Sequence, residues 1–238
     1  KAGTGLSSHE LNQPGTYQDV TDTTVTAQFN AIKNTLPKSL KNYDSVHFLA
    51  WTTTPWTLPS NTALTVGPKI KYTIVSTFNQ YTNKPIHVVL AKNLVSKVLS
   101  NSFFKVEKKE DLKLKTNAKN KIPYFVNNTF LGSDLIGVQY EQLWSEAPLP
   151  YKNAENAFRI IGGDFVTTED GTGIVHTAPT FGADDALVAK QAVPEIPPLL
   201  VKDENDNLVP LVDLQGKFRP EMKEFAGKFV KNEYYTDN

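Results

Sequence analysis

The chain has 238 residues, 39% of them hydrophobic and 21% charged, which excludes a disordered chain and is long enough for one large domain or two small ones. Its 25 basic side chains are matched by 25 acidic ones. That balance removes any overall pull toward nucleic acid, so an RNA partner has to be held by a local patch or by another part of a larger protein.

The chain opens on Lys1-Ala-Gly without a methionine and reads as a piece cut from a longer protein. Thr24 to Phe29 alternates apolar and polar residues and predicts a half-buried strand. Val46 to Trp51 is mostly apolar and predicts a buried strand. Thr62 to Val66 and Tyr72 to Ser76 are two more, separated by the turn signal Gly67-Pro68. Pro85 to Ala91 is a fifth strand, and Lys92 to Ser100 carries Leu94, Val95, Val98 and Leu99 at helical spacing. Phe103 to Val106 returns to strand, and the lysine-rich Lys105 to Lys121 reads as a solvated edge or hairpin. Short strands follow at Tyr124 to Val126, Ala157 to Ile161, Phe165 to Thr168 and Gly173 to His176. Asp184 to Gln191 predicts a short helix, and Asp203 to Asn207 a polar turn before Leu208 to Val212. Many short strands with few helices predict a mainly β fold of the α+β kind, barrel-like, with the helices packed outside.

Several chemistries are set aside on residue identity. The chain contains no cysteine, so disulfides and thiolate metal sites are excluded. The four histidines (His9, His47, His87, His176) show no helical metal spacing, and no metal is expected. Asp203-x-Asn205-x-Asn207 opens like a calcium loop, but Leu208 stands where the glycine belongs and Leu214 where the glutamate belongs. Gly162-Gly163 and Gly171-Thr-Gly173 lack the lysine of a phosphate loop and read as turns. No Gly-x-Ser-x-Gly elbow is present. No apolar run approaches the ~18 residues a membrane span needs.

One stretch resists a bland reading: Trp51-Thr-Thr-Thr-Pro-Trp-Thr-Leu-Pro-Ser-Asn61. Threonine is β-branched and keeps Thr52 to Thr54 extended. Pro55 pushes Thr54 away from helix and suits the first turn of a short helix holding Trp56 and Thr57. The stretch is therefore a strand end that turns and presents hydroxyls, either as decoration around two packed tryptophans or as a site. A second stretch, Gly171-Thr-Gly-Ile-Val-His176-Thr-Ala-Pro followed by Phe181-Gly-Ala-Asp184-Asp185, places a histidine on a strand and two acids at a helix start. On their own, His176 reads as a core histidine and the acids as capping residues.

Together the two stretches resemble the signature segments of the editing domain of isoleucyl-tRNA synthetase, the connective insertion of that class I enzyme. Leu6-Ser-Ser-His-Glu10, Gly132-Ser-Asp-Leu-Ile-Gly137 and Phe225-Ala-Gly-Lys-Phe-Val230 fit the same family, and the resemblance covers nearly the whole chain. The valine and leucine enzymes typically have Thr-Thr-Arg-Pro in the first segment, and lysine or an apolar residue where His176 stands. Both positions point to the isoleucine branch.

The resemblance implies one editing domain over residues 1–238, with the Rossmann catalytic and anticodon-binding domains absent. It implies hydrolysis of valine esterified to the 3′ acceptor end of isoleucine tRNA, excluding isoleucine by size. Thr52, Thr53, Thr54 and Thr57 would orient water, carbonyl and terminal ribose. Asp185 would pair with the α-ammonium, and His176 with Ala178 would line the side-chain pocket. Trp51 and Trp56 would hold the element, while Asn61 supports the turn and Asp184 is structural. No cofactor is implied for this domain. ATP and magnesium belong to the parent synthetase, whose His-Ile-Gly-His and Lys-Met-Ser-Lys-Ser segments are not in this chain. The implied partners are the valine-carrying acceptor end and the rest of the parent in cis, without a membrane, in the cytoplasm. Two rival readings remain: an acceptor-end binding module without hydrolysis, and a free-standing deacylase.

Overall fold

A computed structural model describes residues 12–15, 23–113 and 121–231. The family-like segment at residues 6–10, with His9, lies outside the described residues, as do 114–120 of the lysine-rich stretch and the chain's last seven residues.

The apolar runs become the strands of two sheets. Strands β1 (Val25–Asn30), β2 (Val46–Thr52), β4 (Lys71–Phe78), β5 (Pro85–Ala91), β6 (Phe103–Lys105) and β7 (Ile122–Leu131) form a six-stranded sheet. Its order is β1-β2-β5-β4-β7-β6. Strands β3 (Ala63–Val66), β8 (Arg159–Gly162) and β9 (Ile174–Thr177) form a second sheet in the order β8-β3-β9. A β10–β11 ribbon pairs Val201–Lys202 with Leu208–Val209. The main core is shared by the two larger sheets: Phe29, Phe48, Ile74 and Val89 of the first pack with Leu64, Val66 and Ile160 of the second. The other face of the large sheet is covered by Val95 and Leu99, around the one-turn helix α1 (Val95–Val98). Helix α2 (Ala183–Gln191) presses Val188 and Ala189 onto Ala63 and Ile161 of the small sheet.

The mixed-sheet fold with peripheral helices matches the sequence-based expectation, but the described residues form no closed barrel. The large sheet ends at β1 and β6, which do not pair with each other, and the core is instead closed by stacking a second sheet on the first. Other differences are local. Phe165 to Thr168 runs from a turn to a bend; Val166 is buried but Phe165 is exposed, and the segment pairs with no strand among the described residues. The expected strand at Tyr124 to Val126 lies in the first half of the ten-residue β7, which passes through a register shift at Asn127-Asn128 and resumes its pairing with β4 at Thr129. The helix expected over Lys92 to Ser100 is a 3₁₀ turn at Lys92–Leu94 running into α1. In the polar turn, the Asp203 carboxylate accepts the backbone N–H groups of Asn205 and Asn207, at 2.9 Å each.

Candidate functional site

Strand β2 delivers the threonine loop. Its last residue, Thr52, is buried, and its Oγ1 accepts the Thr54 N–H at 3.0 Å, a local side-chain turn that stops the strand. A 3₁₀ helix, Pro55–Ser60, then starts with proline at its first position, where the missing N–H costs nothing. Its C-cap is Asn61, and β3 begins two residues later.

Strand β9 brings the second segment alongside. It pairs antiparallel with β3, placing His176 opposite Leu64 and Thr177 opposite Ala63, and so next to Asn61. The turn entering β9 is locked to the large sheet: the Thr172 hydroxyl donates to the Leu49 carbonyl at 2.6 Å, and the Ala91 N–H donates to the Thr172 carbonyl at 2.8 Å. Gly173 has φ +74, and a Cβ there would lie 2.4 Å from that of Ala91. The glycine is required both by the left-handed backbone and by the close approach.

Between these elements lies a hollow of about 320 Å³. The threonine loop contributes Trp51, Thr52, Thr53, Thr54, Trp56 and Thr57 to its walls, and the second segment contributes His176, Ala178 and Asp185. Of the residues singled out in the sequence, only Asn61 and Asp184 are outside the lining. Asn61 is buried behind it, and Asp184 is exposed on the first turn of α2. Val175, Phe181 and Gly182 also line the hollow. Phe181 and Gly182 lie within a quoted motif but carry no ionisable or hydroxyl group that would mark them. The Phe181 ring meets the Trp56 indole edge-on, with centroids 5.0 Å apart.

The four threonines are not equivalent. Thr57 and Thr52 are buried, while Thr53 and Thr54 are exposed to the hollow and solvent. The Thr57 hydroxyl donates to the Thr54 carbonyl at 2.8 Å and lies 2.9 Å from His176 Nε2. Among the described residues no hydrogen bond is formed by the Thr53 hydroxyl, which leaves it available to a ligand.

Both ring nitrogens of His176 are engaged. Asn61 Nδ2 sits 3.0 Å from Nδ1, and Nε2 faces Thr57. Burial pulls the His176 pKa from 6.5 down to about 4, so the ring is neutral at pH 7. The Nδ1 lone pair is already used, so the ring has none free to take a proton from water.

Asp185 stands in the first turn of α2, where the positive helix end favours a carboxylate. Its Oδ2 accepts the Ala178 N–H at 2.8 Å. Among the described residues Oδ1 makes no hydrogen bond. Burial raises the Asp185 pKa, and the charge of Asp184 adds to that, against the Ala178 hydrogen bond. A half-buried carboxylate that lines a hollow and has one oxygen without a hydrogen bond among the described residues is suited to an ammonium group. No group of three or more His, Asp or Glu with metal-binding geometry occurs among the described residues. No helix among them is long and apolar enough to cross a membrane.

No family model matches the sequence. Over 239 aligned positions the chain is 54% identical to an isoleucine–tRNA ligase of Cytophaga hutchinsonii, and over 252 positions 54% identical to one of Bacteroides fragilis. These alignments take in 99% and 98% of the chain, which spans only 20% and 21% of the two relatives. In fold it is similar to the crystal structure of the P. knowlesi cytosolic leucyl-tRNA synthetase editing domain. The TM-score is 0.52 at 12% identity, over 72% of this chain and 63% of that one, a likeness of fold alone. By sequence the chain corresponds to a segment about a fifth of the length of these isoleucine–tRNA ligases, and its fold is similar to that of a synthetase editing domain.

Proposed function

We propose that this editing domain hydrolyses the ester of valyl-tRNA(Ile) and spares isoleucyl-tRNA(Ile). The observation that carries the reading is the shared hollow: the threonine loop, His176 and Asp185 meet around one cavity from two distant segments. A hydrophobic pocket separates side chains differing by one methylene by only about 1–3 kcal/mol, a limit for which isoleucyl-tRNA synthetase is itself the standard worked case. A second site that admits the smaller amino acid and destroys its ester answers that limit.

In this reading the Asp185 carboxylate takes the α-ammonium through Oδ1. Thr53 and Thr54 orient the ester carbonyl and the attacking water, and Thr52 and Thr57 hold the loop that carries them. Water adds to the carbonyl carbon, the ester C–O bond breaks, and the ribose oxygen leaves with a proton supplied through solvent. An aminoacyl ester is already activated, so placing water and carbonyl together supplies much of the rate. One methylene is a small fraction of 320 Å³, so discrimination comes from the local wall at His176 and Ala178 and not from total volume. The domain works on the acceptor end of the tRNA, within the rest of the parent synthetase in cis and in the cytoplasm. Hydrolysis needs no cofactor, and ATP chemistry stays with the parent.

The test is single-turnover deacylation by the chain with both charged tRNAs. Valyl-tRNA(Ile) is expected to lose its amino acid about 10- to 200-fold faster than isoleucyl-tRNA(Ile). Equal rates would remove the sieve. Binding of the acceptor end without loss of valine would leave a binding module in place of an enzyme.

A further inference from the structure

A residue outside the hollow controls the groups that line it. Tyr140 follows the turn at Gly137; it is 1% exposed and sits edge-on to Phe29 and Phe158, with centroids 5.3 and 6.2 Å away. Its hydroxyl lies 2.6 Å from Asn61 Oδ1. Burial raises its pKa well above the ordinary tyrosine value, so the hydroxyl keeps its proton and can donate.

Every hydrogen bond that follows has one possible direction. Asn61 Nδ2 lies 2.8 Å from the Ala63 carbonyl, which can only accept, so the amide nitrogen must face that side and Oδ1 must face Tyr140. The second hydrogen of Nδ2 points to His176 Nδ1 at 3.0 Å, so Nδ1 carries no proton. The ring proton is then on Nε2 and is donated to Thr57 Oγ1 at 2.9 Å. Thr57 passes its own proton to the Thr54 carbonyl at 2.8 Å. The polarity runs unbroken from Tyr140 through Asn61, His176 and Thr57 to the backbone of the threonine loop. In a dry interior such a chain is strengthened along its length, and a half-satisfied one is costly.

We propose that Tyr140 is a positioning residue for the candidate site: together with the Ala63 carbonyl it fixes the Asn61 amide, which holds His176 in the Nε2–H tautomer and thereby anchors Thr57 and the carbonyl of Thr54. Its catalytic consequence rests on the hydrolytic reading above; the tautomer itself does not. Without the phenolic hydroxyl, Oδ1 is left buried with no donor, and the amide is held in its present orientation only from the side of the Ala63 and Thr177 carbonyls. A flipped amide presents oxygen to Nδ1, which then requires the proton there and takes it from Nε2. Thr57 loses its donor, and the loop is no longer held from behind.

The experiment uses Tyr140→Phe, which removes one oxygen and keeps the ring between Phe29 and Phe158. The fold is checked by thermal melting, the ring state of His176 by ¹⁵N NMR, and the rate by deacylation of valyl-tRNA(Ile). The unsubstituted chain should show His176 wholly as the Nε2–H tautomer, and the variant a mixture of both. Deacylation kcat should fall tenfold or more with KM within twofold, because the loop that orients the reacting groups is loosened while the Asp185 contact is kept. Asn61→Asp is the second variant: its carboxylate can only accept, so the His176 proton should move to Nδ1. A ring that stays Nε2–H with Nδ1 unprotonated in Tyr140→Phe overturns the proposal, as does an unchanged kcat in that variant. If the unsubstituted chain hydrolyses no ester, the functional reading fails, and the NMR result still decides whether Tyr140 sets the tautomer.

Discussion

In the proposed reading, Asp185 is the residue on which the chemistry turns. One carboxylate oxygen holds the Ala178 N–H, the other has no hydrogen bond among the described residues, and the side chain lines the hollow. A charge-assisted hydrogen bond is worth about 1.5–3 kcal/mol, so Asp185→Ala should lower kcat/KM for valyl-tRNA about 10- to 150-fold. Asp185→Asn keeps an acceptor for Ala178 and loses the charge. It should melt close to the unsubstituted chain and be as slow as the alanine variant. An asparagine variant with full activity would show that the ammonium is held elsewhere. The sequence made Asp185 visible through its motif, but not the division of labour between its two oxygens, which depends on where the Ala178 N–H points. The threonines carry the same lesson: four identical side chains in one loop separate into two buried and two open because the backbone turns at Thr52.

At the scale of elements, the turn into β9 places the site. Gly173 combines φ +74 with a Cβ position 2.4 Å from Ala91, and its carbonyl accepts the Tyr72 hydroxyl at 2.5 Å. Gly173→Ala should therefore cost more than the ~1–2 kcal/mol of left-handed backbone strain alone. Gly137→Ala provides the comparison, since Gly137 has φ +89 and nothing within 4 Å of a Cβ. Urea titration should give a lower midpoint for both variants at unchanged slope, with the larger drop for Gly173→Ala. Most strands were legible because alternation or apolar runs mark a face that must be buried, as at Val25–Asn30 and Pro85–Ala91. The polar half of β7 was not, because Asn127 to Thr129 are ordered by the neighbouring β4 and not by their own pattern. The Phe165 segment failed in the opposite sense, being apolar enough for a strand but left without a pairing partner.

At the scale of the molecule, the buried His176 ties stability to pH. Its pKa is about 4 in the fold against 6.5 for an exposed ring, so the unfolded chain binds more protons between those values. The contribution is complete above pH ~6.5 and is lost as pH falls toward 4, on the order of 3 kcal/mol in all. Burial lowers the pKa of His47 and His87 as well, in the same direction. The urea midpoint should drop between pH 7 and pH 4.5, and the drop should be smaller in His176→Gln, where the His176 contribution is gone. An equal drop in both chains would place His176 outside the linkage.

What the sequence determined by itself was local: which runs must be buried, where strands stop, and which two segments resemble the family's signature elements. Tertiary structure alone decided that those segments share a hollow, that stacked sheets replace a closed barrel, and that Tyr140 stands behind the site. The reason is one of range. Periodicity and turn chemistry act over a few neighbouring residues, whereas Thr57 and His176 are 119 positions apart and Asn61 and Tyr140 are 79 apart. Only the pairing of β3 with β9 and the packing of a common core bring them within hydrogen-bond distance.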